Sequence, residues 1–149
     1  MKVYVGADHN GFRLRRAVID YLKRAGYDVV DDGDEKFNAN DDFPVFAQKV
    51  VTDMLAGGDP DPRGILICGS GQGMCMAANR FNGIRALLAY DRESVRSARN
   101  DDDANVMCLP ASVFEKDTAN VLVETFLNTE FAAAPRFIRR IGELDKLNG

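Results

Sequence analysis

The chain has 149 residues, 46% apolar and 28% charged, the balance of a soluble globular domain long enough to build its core without disulfides or metals. Its 19 basic and 23 acidic residues leave a net charge of −4, which argues against a nucleic-acid-binding module with a basic face. No apolar run reaches the ~20 residues of a membrane span, no signal-peptide core follows Met1, and three cysteines outside any CxxC pattern, with one histidine, make neither a zinc site nor a disulfide framework.

The elements alternate between strand and helix. Lys2–Ala7 is β-branched and predicts a first strand. Leu14, Val18, Leu22 and Ala25 recur at helical spacing over residues 12–25, and Gly26 stands where a C-terminal cap belongs. Residues 27–31 predict a second strand and residues 32–41 a polar loop. A second helix starts with Asp42 as cap and Pro44 in its first turn, buries Phe46, Val50 and Met54, and ends at Gly57-Gly58-Asp59-Pro60. The unbroken apolar run Ile65-Leu66-Ile67-Cys68 fits a central parallel strand covered on both faces. A glycine loop and a short Ala-rich helix to Asn79 follow, then a strand at 84–89, a helix at 91–99 and a strand at 105–109. Two helices close the chain, at 117–127 and 135–147, the last with Ile138, Ile141 and Leu144 along one side. Together these predict one domain over residues 1–149, an α/β fold with a doubly wound, Rossmann-like five-stranded parallel sheet, helices on both faces and a C-terminal helix.

In such sheets ligands bind beyond the carboxyl ends of the strands, near the topological switch point. The loop Gly69-Ser70-Gly71-Gln72-Gly73 lies there. It is neither G-x-G-x-x-G nor a P-loop, and it follows the third strand rather than the first. It offers a run of backbone N–H groups at a helix N-terminus, suited to a phosphate or a developing oxyanion; the alternative is a strand-to-helix turn with no ligand. Cys68 is either a small core hydrophobe or, because helix N-termini favour thiolates, a base or nucleophile. Cys75 and Cys108 read as core residues, Cys75 lying close to the loop. Asp8 and His9 leave the first strand just before Gly11 and are candidates for ligand contact. The acidic residues 101–103 read as a solvated helix-to-strand loop, and Arg136 and Arg140, at i and i+4, share a helix face that can grip a phosphate.

The motifs Gly6-Ala7-Asp8-His9-Asn10-Gly11-Phe12, Asp42-Phe43-Pro44, Gly64-Ile65-Leu66-Ile67-Cys68-Gly69-Ser70-Gly71 with Gly73-Met74, Ala77-Ala78-Asn79-Arg80, Gly83-Ile84-Arg85-Ala86 and Asp103-Ala104-Asn105-Val106 stand in order along the chain. They resemble the ribose-5-phosphate isomerase B family, which includes the galactose-6-phosphate isomerase subunits, over residue 2 to about residue 144. The resemblance implies a metal-free and cofactor-free aldose–ketose isomerisation of a sugar phosphate through a cis-enediolate. It makes Cys68 the proton-transferring base, the amides of Gly69, Gly71, Gln72 and Gly73 the holders of the enediolate oxygen, and Ser70 a proton relay. Asp8 then orients sugar hydroxyls, while His9, Arg136 and Arg140 bind the phosphate; Asp102 is a further candidate for substrate contact. It also implies a homodimer or dimer of dimers with sites shared between subunits. The start of the chain and its three unpatterned cysteines predict, separately, a cytoplasmic protein with free thiols.

Departures from the family pattern are concentrated at the site. Asp101-Asp102 stand where members have His-Asn, so Asp101 replaces the histidine that opens the sugar ring. An ordinary carboxylate is ionised at neutral pH, so Asp101 suits a base toward the anomeric hydroxyl, and an acid only where its surroundings hold the proton on it. Phe43 replaces a tyrosine, Ser112 an arginine that reaches the phosphate, and Phe137 a histidine; Arg136 aligns only with one residue inserted. Each missing charge-assisted hydrogen bond is worth roughly 1.5–3 kcal/mol, and Arg85 and Arg99 are the basic residues left to compensate. These changes leave open a different sugar phosphate as substrate, or a binding protein that has lost turnover.

Overall fold

The computed structural model of the protein describes residues 1–147. Its five strands are β1 (Lys2–Ala7), β2 (Asp28–Asp31), β3 (Arg63–Cys68), β4 (Ala86–Leu88) and β5 (Val106–Pro110). They form one all-parallel sheet in the order β2-β1-β3-β5-β4. The helices are α1 (Phe12–Arg24), α2 (Phe43–Ala56), α3 (Gln72–Ala78), α4 (Arg92–Asp102), α5 (Lys116–Asn128) and α6 (Pro135–Leu144), with a 3-10 turn at His9–Gly11. No described helix is long and apolar enough to cross a membrane.

Alternating side chains send the sheet's apolar residues to two cores. Val3, Val5, Ile65, Ile67, Met107 and Leu109 pack with residues of α1, α4 and α5. Tyr4, Leu66, Cys68, Val106 and Cys108 pack on the other face against α2 and α3. Every residue of β3 is buried, as its unbroken apolar run requires. The chain passes from β1 to β2 on one side and then to β3 on the other, so the switch point lies between the carboxyl ends of β1 and β3.

Local chemistry sets the boundaries. α1 ends in a Schellman pair, with Gly26 N–H donating to the Lys23 carbonyl at 3.1 Å and Tyr27 N–H to the Leu22 carbonyl at 3.0 Å. Asp42 stands at the N-cap of α2 but makes no side-chain cap bond, leaving Pro44 as the start signal. The strand expected at 84–89 shrinks to Ala86–Leu88, because Arg85 N–H is taken by the Asn105 side chain at 2.9 Å. α6 stops at Leu144 rather than Leu147. Its expected apolar side is uncovered within the chain, Ile138 being 55% and Leu144 47% exposed, and only Phe137 is buried.

The acidic residues 101–103 are not a solvated loop. Asp101 and Asp102 form the last turn of α4, and Asp103 caps it in the left-handed region at φ 48°. Carboxylates at a helix C-terminus oppose the helix dipole. Two arginines offset this at Asp103, where Arg85 Nη2 lies 2.9 Å and Arg99 Nη1 2.8 Å from its oxygens. Arg99 is 2% exposed and also donates to the carbonyls of Ala104 and Thr129. Arg85 and Arg99 are therefore spent on the fold and do not compensate at the phosphate site as the sequence suggested.

A second buried acid gives the fold a pH dependence. Asp32 follows β2, is 2% exposed and has one carboxylate oxygen with no donor. Burial, then the neighbouring Asp53 carboxyl, push its pKa up to about 6, with Lys49 at 3.5 Å opposing. The folded state thus holds a proton that the unfolded chain releases near its ordinary pKa of about 3.9. The stability linked to that proton is present below this value and is lost as pH rises through about 6. Asp32→Asn, which fixes the neutral form, is expected to raise stability by about 1–3 kcal/mol at pH 8 and by nearly nothing at pH 4. Urea midpoints at the two pH values check this, and an equal shift at both would contradict it.

Candidate active site

β1 and β3 deliver their loops side by side. Asp8 N–H donates to the Ile67 carbonyl at 3.2 Å, and Gly69 faces the Asn10 side chain. Asp8 is buried, and its Oδ1 accepts from the Asn10 and Gly11 N–H groups at 3.0 and 3.3 Å, capping the 3-10 turn. Desolvation raises the Asp8 pKa, partly countered by those two bonds. Both go to Oδ1, so Oδ2 takes no part in the cap.

His9 has a partner that sequence reasoning missed. Asp41 Oδ1 lies 2.7 Å from His9 Nδ1 and also accepts the His9 backbone N–H at 2.9 Å. The carboxylate raises the His9 pKa and favours the imidazolium, the form that attracts a phosphate. Among the described residues, Asp8, His9 and Asp41 are the one group whose donor atoms converge closely enough for a metal ion. The His9–Asp41 pair already accounts for that closeness as an ion pair.

Cys68 ends β3 as a buried residue, and its carbonyl accepts from Ala111 N–H at 2.9 Å, fixing the strand end against β5. The chain then turns through Gly69, Ser70 and Gly71 into α3. Gly71 has φ +74°, and a Cβ there would lie 2.6 Å from Leu88 Cδ1 and 3.3 Å from Pro110 N, so only glycine fits without strain. At Gly73 a Cβ would stand 2.7 Å from the Phe43 ring, which therefore presses directly on the first turn of α3. Ser70 and Gln72 are exposed, and Ser70 Oγ accepts the Gln72 N–H at 3.3 Å. Ser112 also has a local role: its Oγ donates to the Gly69 carbonyl at 2.5 Å and its N–H to the same oxygen at 3.0 Å. The hydroxyl that replaces an arginine thus ties β5 to the glycine loop.

The structure brings Asp8, His9, Cys68, Gly69, Ser70, Gly71, Gln72 and Gly73 to one end of the sheet. It leaves the other four expected residues at the opposite end of the same chain. Asp101 and Asp102 close α4 immediately before β5 begins, and Asn100 Nδ2 donates to Asp101 Oδ1 at 2.7 Å. The Asn100 carbonyl accepts Ala132 N–H at 3.0 Å, which holds the approach to α6, the helix carrying Arg136 and Arg140, at that end too. β5 registers Val106 with Gly64 and Pro110 with Cys68. At ~3.3 Å per residue, the two ends are about 13 Å or more apart along the strands. Arg136 and Arg140 are exposed, Arg136 lying over the Phe137 ring at 4.3 Å.

Comparison with known proteins agrees with this architecture. The sequence profile of the ribose/galactose isomerase family matches residues 3–144. A probable ribose-5-phosphate isomerase B of Mycoplasma genitalium is 40% identical over 143 residues, 95% of this chain and 92% of that protein. The Mycobacterium tuberculosis H37Rv ribose-5-phosphate isomerase B is 35% identical over 95% of this chain and 86% of its own length. Among solved structures, the Clostridium thermocellum ribose-5-phosphate isomerase B superposes with a TM-score of 0.92 at 37% identity, covering 99% of this chain and 97% of that one. The Mycoplasma genitalium enzyme with bound ribulose-5-phosphate gives 0.92 at 36% identity, covering 97% and 94%. A match along nearly the whole length, on a fold that places a cysteine and a glycine loop at the switch point, identifies the chain as a member of the ribose/galactose isomerase family.

Proposed function

We propose that the protein interconverts ribose 5-phosphate and ribulose 5-phosphate by proton transfer through a cis-enediolate. The observation that carries this reading is the meeting of Cys68 with the amide-lined start of α3 and with the Asp8–His9 turn. The Cys68 thiolate takes the proton from C2 of the open-chain aldose, and the electron pair moves to the carbonyl oxygen. Amides of residues 69–73 hold the developing negative charge, the kind of preorganised donation that lowers such barriers most. Ser70 relays a proton between the two oxygens, and the Cys68 thiol returns its proton to C1. Asp8, Asp102 and Gln72 orient sugar hydroxyls; His9, Arg136 and Arg140 bind the phosphate.

Asp101, Asp102, Arg136 and Arg140 meet Cys68 only if a second copy supplies them. The working unit is therefore a homodimer, or a pair of dimers, in which each site draws its glycine loop from one subunit and its arginines and Asp101 from the other. The uncovered Ile138 and Leu144 of α6 support such a partner surface. Asp101 of that second copy accepts the anomeric proton when the furanose opens. We place this single-domain protein in the cytoplasm, acting on a small phosphorylated sugar in carbohydrate metabolism with no nucleic-acid or membrane partner.

The test is steady-state turnover on four-, five- and six-carbon aldose phosphates, read as ketose formed. Ribose 5-phosphate is expected to give the highest kcat/KM. Tight binding of a sugar phosphate with no ketose from any of them would replace the enzyme by a binding protein.

A further inference from the structure

Residues 111–115, between β5 and α5, carry no basic side chain. Ser112 gives both its hydroxyl proton and its N–H to the Gly69 carbonyl. Arg85 and Arg99 are held by Asp103 at the other end of the sheet. Of the residues assigned to the phosphate so far, His9 alone belongs to the subunit that supplies Cys68. Two further cations stand close by. A cleft of about 380 Å³ opens between the starts of α1 and α5, and Asn10, Arg13, Ala111, Glu115 and Lys116 are among the residues that line it.

Sheet order places this cleft over the end of β3. Strand β3 lies between β1 and β5, and the loops leaving those two neighbours supply opposite walls, Asn10 on one side and Ala111 on the other. Both walls touch the Cys68–Gly69 turn. A Cβ at Gly69 would lie 3.4 Å from Asn10 Nδ2, and Ala111 N–H donates to the Cys68 carbonyl at 2.9 Å. His9 directly precedes Asn10, and Ser112 directly follows Ala111. The cleft is therefore bracketed by the imidazolium on one side and by the position without its arginine on the other.

We propose that Arg13 and Lys116 bind the substrate's phosphate in this cleft, in place of the arginine absent at Ser112. The proposal rests on the isomerase reading of the Cys68 site and adds two residues that this reading does not use. Both side chains are exposed, and among the described residues neither enters an ion pair. Their neighbours on α1 are committed elsewhere: Arg15 Nε lies 3.2 Å from Asp31, and the Arg16 guanidinium lies over the Phe12 ring. Within the lining, two cations face the single carboxylate of Glu115, so the cleft is positive in a chain of net charge −4. The Arg13 fork suits two phosphate oxygens at once, and Lys116 adds a point charge to the third. Because both cations are open to solvent, their hold on the phosphate weakens as salt rises.

The experiment titrates the full-length protein with inorganic phosphate by calorimetry and measures turnover of ribose 5-phosphate in parallel. Arg13→Met and Lys116→Met are each expected to weaken phosphate binding by about tenfold, and the double variant by up to about a hundredfold. KM for ribose 5-phosphate is expected to rise by similar factors while kcat stays within about twofold, the signature of lost ground-state binding. The salt dependence of KM is expected to flatten in the double variant. Arg24→Met removes one exposed charge from the far end of α1 and is expected to change neither quantity. Unchanged phosphate affinity in the double variant would overturn the assignment. An equal loss in Arg24→Met would also overturn it, reducing the effect to net charge. A wild-type protein that forms no ketose would overturn the isomerase reading alone, because calorimetry reads the phosphate contacts without turnover.

Discussion

Cys68→Ala is expected to lower kcat by about 10³-fold or more, in line with removal of a positioned acid–base group, while the protein stays folded. The two halves of that expectation come from different places. Cys68 is buried among Leu66, Met74 and Cys108, so trimming its sulfur leaves a small void and costs about 1 kcal/mol. The catalytic loss is larger because no other side chain on the glycine loop can hold the C2 proton. Ser70 is exposed on the same turn, but a hydroxyl is a far weaker base than a thiolate. KM is expected to change little, since the proposed phosphate and hydroxyl contacts lie elsewhere. Steady-state rates and a thermal melt check both halves. A variant with near-normal kcat would remove Cys68 as the base.

Mixed subunits are expected to restore what two inactive parents lack. Arg136→Ala/Arg140→Ala removes the two proposed phosphate contacts, each worth roughly 1.5–3 kcal/mol, and should depress kcat/KM by about 10²–10⁴-fold. Cys68→Ala is expected to be inactive for a separate reason, at the other end of the sheet. In a dimer holding one copy of each, one of the two sites combines an intact Cys68 loop with intact arginines. Such a dimer, isolated through two different tags, should recover about half of the parent kcat/KM. The expectation follows from topology: in parallel strands the carboxyl end of β3 and the start of β5 cannot be neighbours within one chain. Activity no greater than the sum of the parents would show that each chain completes its own site, or that these arginines are not used.

What could be read from the sequence was local. The strand at Lys2–Ala7, the glycine loop after Cys68 and the stop at Gly26 rest on spacing and turn chemistry within a few residues, and they stand as read. The pairing of His9 with Asp41 spans 32 residues and depends on how the loop after β2 folds back, so nothing near His9 announced it. The structural roles of Arg85 and Arg99 are hidden from the sequence for the same reason. Their charge is visible in the sequence, but Asp103 meets them only because α4 ends in a left-handed cap beside the start of β4. Ser112 shows the converse: a residue noted for the charge it lacks makes a specific bond to Gly69. The acidic residues 101–103 read as a loop because their helix carries few apolar markers beyond Val95. The α6 stripe, uncovered within the chain, is visible in the sequence as a pattern but not as a destination.

The most direct test of the account follows proton exchange by NMR during turnover of ribose 5-phosphate in deuterated water. The wild-type protein is predicted to form ribulose 5-phosphate with solvent deuterium entering at C1, and Cys68→Ala is predicted to give neither ketose nor exchange. Absence of ketose and exchange in folded, dimeric wild-type protein that binds the sugar would contradict the proposed reaction. Ketose formed with no deuterium would contradict a solvent-exchanging enediolate route through the Cys68 thiol.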